Sequence, residues 1–152
     1  MVTVTVTNTI NAPVDTVFGL FTDLEHCSER VSGIKKCEIL TVGPFGLRTR
    51  WLETREVVGL GATEELEVTA FEHNRAYTIT STGHNVRVDT QCTFQPRGED
   101  TDLTITFSTE AQSLPSRLLS PLGWTMAGTI RRAIEHDVLD VKRMAEHHAA
   151  GH

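Results

Sequence analysis

From Leu119 the apolar side chains recur as Leu122, Met126, Ile130, Ile134, Val138, Val141 and Met144, in steps of three or four. That spacing keeps them on one face of an α-helix, and it predicts a single long helix from about Pro115 to His148. Nearly everything before it reads as short alternating strands. A helix with one apolar stripe needs a partner surface, and the strands are the only other large source of apolar faces. The expected class is therefore α+β: a curved antiparallel sheet of seven strands closing on the C-terminal helix, with Ile130 and Ile134 as its anchors. A strongly bent sheet gripping a helix tends to leave a hollow beneath it.

The strands follow from period-two alternation. Val2, Val4, Val6 and Ile10 alternate with Thr3, Thr5, Thr7 and Thr9, β-branched on both faces. Asn11-Ala12-Pro13 breaks that strand, and Pro13 with Asp15 close behind starts a helix over Val14 to Thr22. A second short helical segment covers Leu24 to Arg30. Six strand candidates follow: Ile34 to Val42, Leu47 to Val58, Thr63 to Glu72, Ala76 to Thr82, Val86 to Gln95 and Asp102 to Ala111. Their separators carry turn residues, among them Gly43-Pro44-Phe45-Gly46, Gly59-Leu60-Gly61 and Gly83-His84-Asn85, and separators this short make sequential strands antiparallel neighbours.

The 152 residues fit one domain, read as 1–148 with a short tail at 149–152, and the formal net charge of −6 argues against nucleic acid or anionic lipid headgroups as partners. The one basic cluster, Arg48, Arg50 and Arg55, is interrupted by Glu53 and Glu56, as on a salt-bridged sheet face. Cys27, Cys37 and Cys92 are odd in number and widely spaced. They suggest neither a zinc site nor a disulfide framework, and fit reduced thiols in a cytoplasm. The N-terminus shows no basic leader, and no run of about 18 apolar residues occurs, so a cytoplasmic protein without membrane spans is expected. No cofactor or metal is implied, and the protein is expected to be a monomer or homodimer.

Strand parity locates the candidate pocket. Leu66, Val68 and Ala70 share one face, opposite Glu65, Glu67 and Thr69; Val86, Val88, Cys92 and Phe94 oppose Arg87, Asp89, Gln91 and Thr93. Tyr77 and Ile79, and Leu103, Ile105 and Phe107, line the same concave side. One strand is ambiguous, because Trp51, Glu53 and Arg55 share a parity while Arg50, Leu52 and Thr54 share the other. If Trp51 turns inward, a carboxylate and a guanidinium come with it; if it turns outward, both charges are solvated. Glu64 has inward parity but sits by a turn, where an exposed carboxylate is the default and a buried one would serve as a general acid or base. His136 and Asp140 are four apart on the helix, a two-ligand spacing without a third ligand, and a solvated helix face explains them more simply. Leu118, Leu119, Leu122, Trp124 and Met126 crowd apolar bulk around Gly123 and Gly128 at the helix start. An entrance is expected there, between the helix start and the turns near Pro44 and Gly83.

The opening Asn11-Ala12-Pro13-Val14-Asp15-Thr16-Val17-Phe18, the pair of short helices, the passage from Gly46 to Arg55 and the closing long helix together resemble the START-related helix-grip superfamily. Within it the chain resembles the SRPBCC group, whose members include polyketide cyclases and dehydratases. The resemblance covers essentially the whole chain and implies the helix-grip fold, but members range from lipid carriers and hormone receptors to cyclases and co-chaperones, and fold alone does not choose among them. Three functions stay open: a binding or carrier module for a hydrophobic small molecule; a cyclase or dehydratase moving protons with Glu53, Arg55, Tyr77 or Glu64; and a pocketless interaction module. The expected ligand-lining set is Trp51, Leu66, Val68, Tyr77, Ile79, Val88, Phe94, Ile105 and Phe107 from the sheet, with Leu122, Met126 and Ile130 from the helix.

Overall fold

The alternation of Val and Thr forms β1 (Val2–Ile10), with Val4, Val6 and Ile10 buried and Thr3, Thr5 and Thr7 exposed. The computed structural model describes residues 2–57, 60–83, 86–111 and 120–150. After β1 come α1 (Val14–Phe21), a 3-10 turn (Leu24–His26) and the short α2 (Cys27–Arg30). Then follow β2 (Ile34–Ile39), β3 (Arg50–Val57), β4 (Leu60–Glu72), β5 (Ala76–Gly83), β6 (Val86–Arg97), β7 (Asp100–Ala111) and α3 (Ser120–Ala150). The strands form one seven-stranded sheet in the order β1-β7-β6-β5-β4-β3-β2, every neighbouring pair antiparallel. The helix-grip α+β architecture is therefore the one expected from the pattern.

Several details depart from strict alternation. β2 stops at Ile39 and β3 starts only at Arg50. The connection turns through Gly43 (φ 104°) and Arg48 (φ 76°), left-handed backbone that cannot continue a strand. Leu60 and Gly61 belong to β4 rather than to a turn, since Leu60 pairs with Val57 and Gly61 with Glu56. Within β4 the register against β5 shifts between Val68 and Ala70. This bulge reverses the facing beyond it, so Ala70 is exposed and Phe71, opposite Tyr77, takes the inward place expected of Ala70. The segment 112–119, with Leu114, Pro115, Leu118 and Leu119, lies outside the described residues.

The core lies where α1 and the second half of α3 meet the concave face. Ile10, Val17, Phe18, Trp51, Val68, Tyr77, Phe94, Leu103, Val138 and Ala145 form one buried cluster. Aromatic edges dominate it: the Phe18 ring lies 5.1 Å from Phe94 and 6.0 Å from Tyr77, both near-perpendicular, which is the favourable geometry for such rings.

The anchors of α3 differ from those expected. Val138, Val141 and Ala145 are sealed, at 0, 2 and 0% exposure, whereas Ile130 and Ile134 are half-buried. A stripe built of four-residue steps winds around its helix by about 40° per step, because four residues turn through about 400°. The residues near the helix start therefore point in a different direction from Val138. Replacing Val138 with Ala should cost about 2 kcal/mol, two buried methyl groups plus the cavity they leave. Ile130→Ala removes more carbon but should cost no more than about 1 kcal/mol. Urea denaturation midpoints at unchanged slope measure both, and a reversed order would mean the helix is held at its other end.

Candidate functional site

The concave face divides into two zones. At one end Val68, Tyr77, Phe94, Leu103 and Ile105 are at most 5% exposed, covered by α1, by the second half of α3, and by Phe45, whose ring packs 5.3 Å from Tyr77. Further along the same face, Leu66 and Ile79 pack only at the margin of this core. Val88, Phe107 and Ile130 lie beyond it and are half-buried. The pairings Ile79 with Thr90, Ser81 with Val88, Thr90 with Phe107 and Phe107 with Val4 lay these residues side by side on one surface. Inward-facing apolar side chains are thus sealed at one end, while at the other Val88, Phe107 and Ile130 are only half-buried, beside a sealed Val4. Leu122, Trp124 and Met126 belong to the first turns of α3 but lie outside the described side chains. The Pro44 and Gly83 turns do not converge: Phe45 packs on Phe71 near the β4–β5 turn, and Gly83 ends β5 at the opposite end. An entrance between the helix start and Gly83 therefore excludes Pro44. Two open clefts lie outside the grip. One of about 270 Å³ sits on the convex face between Thr78, Arg87, Asp89, Gln91, Thr106 and Ser108, and one of about 390 Å³ runs between β1 and Arg131, Glu135 and Leu139.

The ambiguous strand is resolved inward. Trp51 is 2% exposed, and Glu53 and Arg55 follow it onto the concave face. Trp51 donates its indole N–H to Glu53 Oε1 at 3.4 Å, and Arg55 donates Nε to Glu53 Oε2 at 2.9 Å. The guanidinium then reaches α3, with Nη2 2.9 Å from Asp137 Oδ2 and Nη1 3.4 Å from Oδ1, a two-point contact that fits a carboxylate. Gly33 makes room for this, because a Cβ there would stand 3.2 Å from Arg55 Nη1. The side chains of Glu53, Arg55 and Asp137 keep 16, 33 and 24% exposure, so the group is partly desolvated.

Two carboxylates share one guanidinium, which leaves the trio one negative charge in excess. Burial pushes the Asp137 carboxyl above its ordinary value; Arg55 opposes that rise, while Glu53 and Asp140 add to it. Arg55 is held in its charged form: burial works against the charge, but Glu53 and Asp137 together outweigh it. A half-buried carboxyl that gives up its proton reluctantly, next to a fixed cation, can exchange protons with a bound polar group or orient it.

The other sequence candidates separate cleanly. Tyr77 is buried within the core, its hydroxyl pushed well up by that burial and engaged with Cys92. Glu64 faces Glu53 across the β3–β4 pair but is exposed. Arg48 and Arg50 pair with Glu67 and Glu65 on the outer side, as a salt-bridged face requires, while Arg55 does not belong with them. His136 is exposed, and Asp140 accepts from the Ser32 backbone N–H at 3.1 Å and from its hydroxyl at 3.0 Å. Among the described residues no group of three side chains could hold a metal. Sequence reasoning missed Asp137, which sits beside the apolar stripe next to Val138, where nothing in the local pattern singles out one charge from another. It also missed Phe45 and Phe71, one in a turn and the other displaced by a bulge.

The family described as "Polyketide cyclase / dehydrase and lipid transport" matches residues 1–146. No curated protein sequence matches the chain. Among solved structures, a START superfamily protein from Mycobacterium smegmatis superposes with a TM-score of 0.77 at 16% identity, covering 97% of this chain and 99% of that one. The Zhui aromatase/cyclase from Streptomyces sp. R1128 gives 0.76 at 20% identity, with 95% and 93% covered. A major latex-like protein from Panax ginseng gives 0.71 at 12% identity, with 94% and 96% covered. Identities this low establish a common fold and nothing finer.

Removing the cation tests the electrostatics of the trio. Arg55→Met leaves Glu53 and Asp137 without their counter-ion, and should cost about 2 kcal/mol at neutral pH, less than a fully buried pair because the groups keep some solvent. In that variant the Asp137 carboxyl, already raised by burial, also loses the cation that opposes the rise, so it stands further above its unfolded value. Stability is then present at low pH and lost as pH rises through the folded value, so the deficit should shrink between pH 7 and about pH 4.5. Urea denaturation at the two pH values measures it, and a deficit independent of pH would point to lost packing rather than lost charge balance.

Proposed function

This chain belongs to the polyketide cyclase/dehydrase and lipid transport family, and from that premise we propose that it binds a mainly apolar small molecule, lipid-, polyketide- or isoprenoid-like, between the sheet and the first half of α3. The observation that carries this reading is the graded burial of one surface. Leu66, Ile79, Val88 and Phe107 face inward from the sheet like their sealed neighbours, and with Ile130 on α3 they keep accessible apolar area. Apolar surface costs about 25 cal/mol per Å² when left in water, so a continuous inward patch favours an apolar occupant. The family match over residues 1–146 supports taking 1–148 as one ligand-binding domain. Among the described residues no helix is long and apolar enough to cross a membrane. The free thiols of Cys27, Cys37 and Cys92 fit a reducing, cytoplasmic setting.

A second reading, a cyclase or dehydratase, is favoured by one feature, the carboxyl of Asp137 raised by burial beside Arg55 and Glu53. In this reading the sealed half of the grip stays rigid while the trio supplies the proton-transfer groups at the pocket's edge. Tyr77 serves packing in either reading, because its hydroxyl is closed off by the core.

Fluorescence of N-phenyl-1-naphthylamine, an apolar dye bright only out of water, tests the binding reading. The parent should bind it at micromolar concentration. Val88→Trp, which fills the accessible zone, should weaken binding at least about tenfold, a loss of about 1.4 kcal/mol, with the fold retained. Gln91→Trp on the exposed outer face should leave binding unchanged. A parent that binds no dye would favour a pocketless interaction module, and equal binding by both variants would put the cavity elsewhere.

A further inference from the structure

Among the described residues the buried polar side chains are Thr49, Thr80, Ser81 and Thr101. Three of them have hydroxyl partners: Thr49 accepts from the Gly46 backbone N–H at 3.0 Å, Thr80 donates to Asp89 at 2.7 Å, and Thr101 donates to the Ala12 carbonyl at 2.8 Å. Ser81, 6% exposed, has no hydroxyl partner among the described residues. A buried hydroxyl that has lost water and gained nothing in return costs free energy, so its position needs a reason. On β5 Ser81 shares the parity of the sealed Tyr77 and the half-buried Ile79, and its cross-strand partner is Val88, so it faces the concave side. Ile79 pairs with Thr90, which makes Thr90 the diagonal neighbour of Ser81, on the same face, half-buried and also without a hydroxyl partner among the described residues. Serine is shorter than Ile79, Val88 and Phe107 around the two hydroxyls, so Ser81 forms a polar dimple in an apolar floor. The space above this end of β5 is open: a Cβ on Gly83, two residues on with the same parity, would meet nothing within 4 Å.

We propose that Ser81, with Thr90 beside it, is the hydrogen-bonding subsite of this floor and selects a neutral apolar guest that carries a ketone or alcohol oxygen on its body. The inference rests on the binding reading above and adds to it the residue that sets specificity. A ketone oxygen accepts from the Ser81 O–H, and an alcohol either accepts from it or donates to Ser81 Oγ. A bare hydrocarbon of the same shape covers the hydroxyl and leaves it unpartnered. Discrimination therefore comes from the cost of burying an unmet hydroxyl, and it works against the guest that lacks the oxygen. Charge on the same face narrows the class further. The Glu53–Arg55–Asp137 trio carries one negative charge in excess, which disfavours a carboxylate guest.

The test uses the full chain and measures displacement of N-phenyl-1-naphthylamine by fluorene and by 9-fluorenone, which share one ring frame and differ by the ketone oxygen. Ser81→Ala should weaken fluorenone about fivefold, the effect of one net hydrogen bond, and leave fluorene unchanged or tighter. Thr78→Val, on the outer face, should move neither. A second measurement needs no ligand. The urea midpoint of Ser81→Ala should equal or exceed that of the parent, because no bond is lost, whereas Thr101→Val gives up a bond and should fall below it. A parent that binds neither the dye nor either fluorene ends the binding reading and this proposal with it. If both ligands bind but Ser81→Ala weakens them equally, or weakens neither, this proposal alone is overturned. A Ser81→Ala midpoint lowered as far as that of Thr101→Val would overturn it too, since the hydroxyl would then be engaged within the fold.

Discussion

The whole fold depends on α3 being held along both flanks of its apolar stripe, because an open sheet with two free edges does not otherwise fix a helix in its groove. On the β1 side, Arg131 donates to the Thr5 carbonyl at 2.8 Å, Lys142 donates to Asn8 Oδ1 at 3.0 Å, and Glu146 accepts from the Asn11 backbone N–H at 2.9 Å. On the β2–β3 side, Asp137 takes the Arg55 guanidinium and Asp140 takes Ser32. Val138, Val141 and Ala145 lie between these two rows at 0 to 2% exposure. The polar contacts are individually modest, yet they face opposite edges of one sheet and so set the rotation of the helix about its axis. Burial of the stripe then supplies most of the free energy.

That rotation decides where the space is. Once Val138 and Ala145 are seated on the core, a stripe advancing in four-residue steps turns away from it toward the helix start, and the concave residues facing that half are left half-covered. The aromatic group of Phe18, Phe45, Phe71, Tyr77 and Phe94 closes the other half, with ring centroids 5.1 to 6.0 Å apart. A rigid, filled end and an accessible apolar end in one small domain is an arrangement suited to holding a guest without losing the fold when the guest leaves. The Glu53–Arg55–Asp137 trio joins α3 to β3, so the same contact that fastens the helix also places charged groups on the concave face.

Polar chemistry is concentrated at the β2–β3 edge. Cys27, Cys37, Glu53, Arg55, Asp137 and Asp140 come from α2, two strands and α3; burial and then the Glu53 carboxylate raise both thiols and the Asp137 carboxyl, and Arg55 opposes the rise at Cys27 and Asp137. Structures at 12 to 20% identity to this chain share its fold, which needs only pattern and turn residues.

Periodicity alone was enough to establish the helix, seven antiparallel strands, the short helices after β1 and the inward facing of Val88, Phe94, Leu103 and Phe107, because side-chain direction repeats every two or 3.6 residues whatever the surroundings. It could not decide the facing of Trp51, Glu53 and Arg55, since both parities of that strand mix apolar and charged groups. Only the partner on α3 makes the inward charges tolerable, and that partner, Asp137, is 82 positions away in sequence from Arg55. The bulge after Val68 that exchanges Ala70 for Phe71 and the seating of α3 on Val138 rather than Ile130 are likewise products of tertiary packing. Local pattern carries the direction of a side chain; whether a buried charge or thiol finds its partner depends on how distant elements are placed, and no local rule encodes that distance.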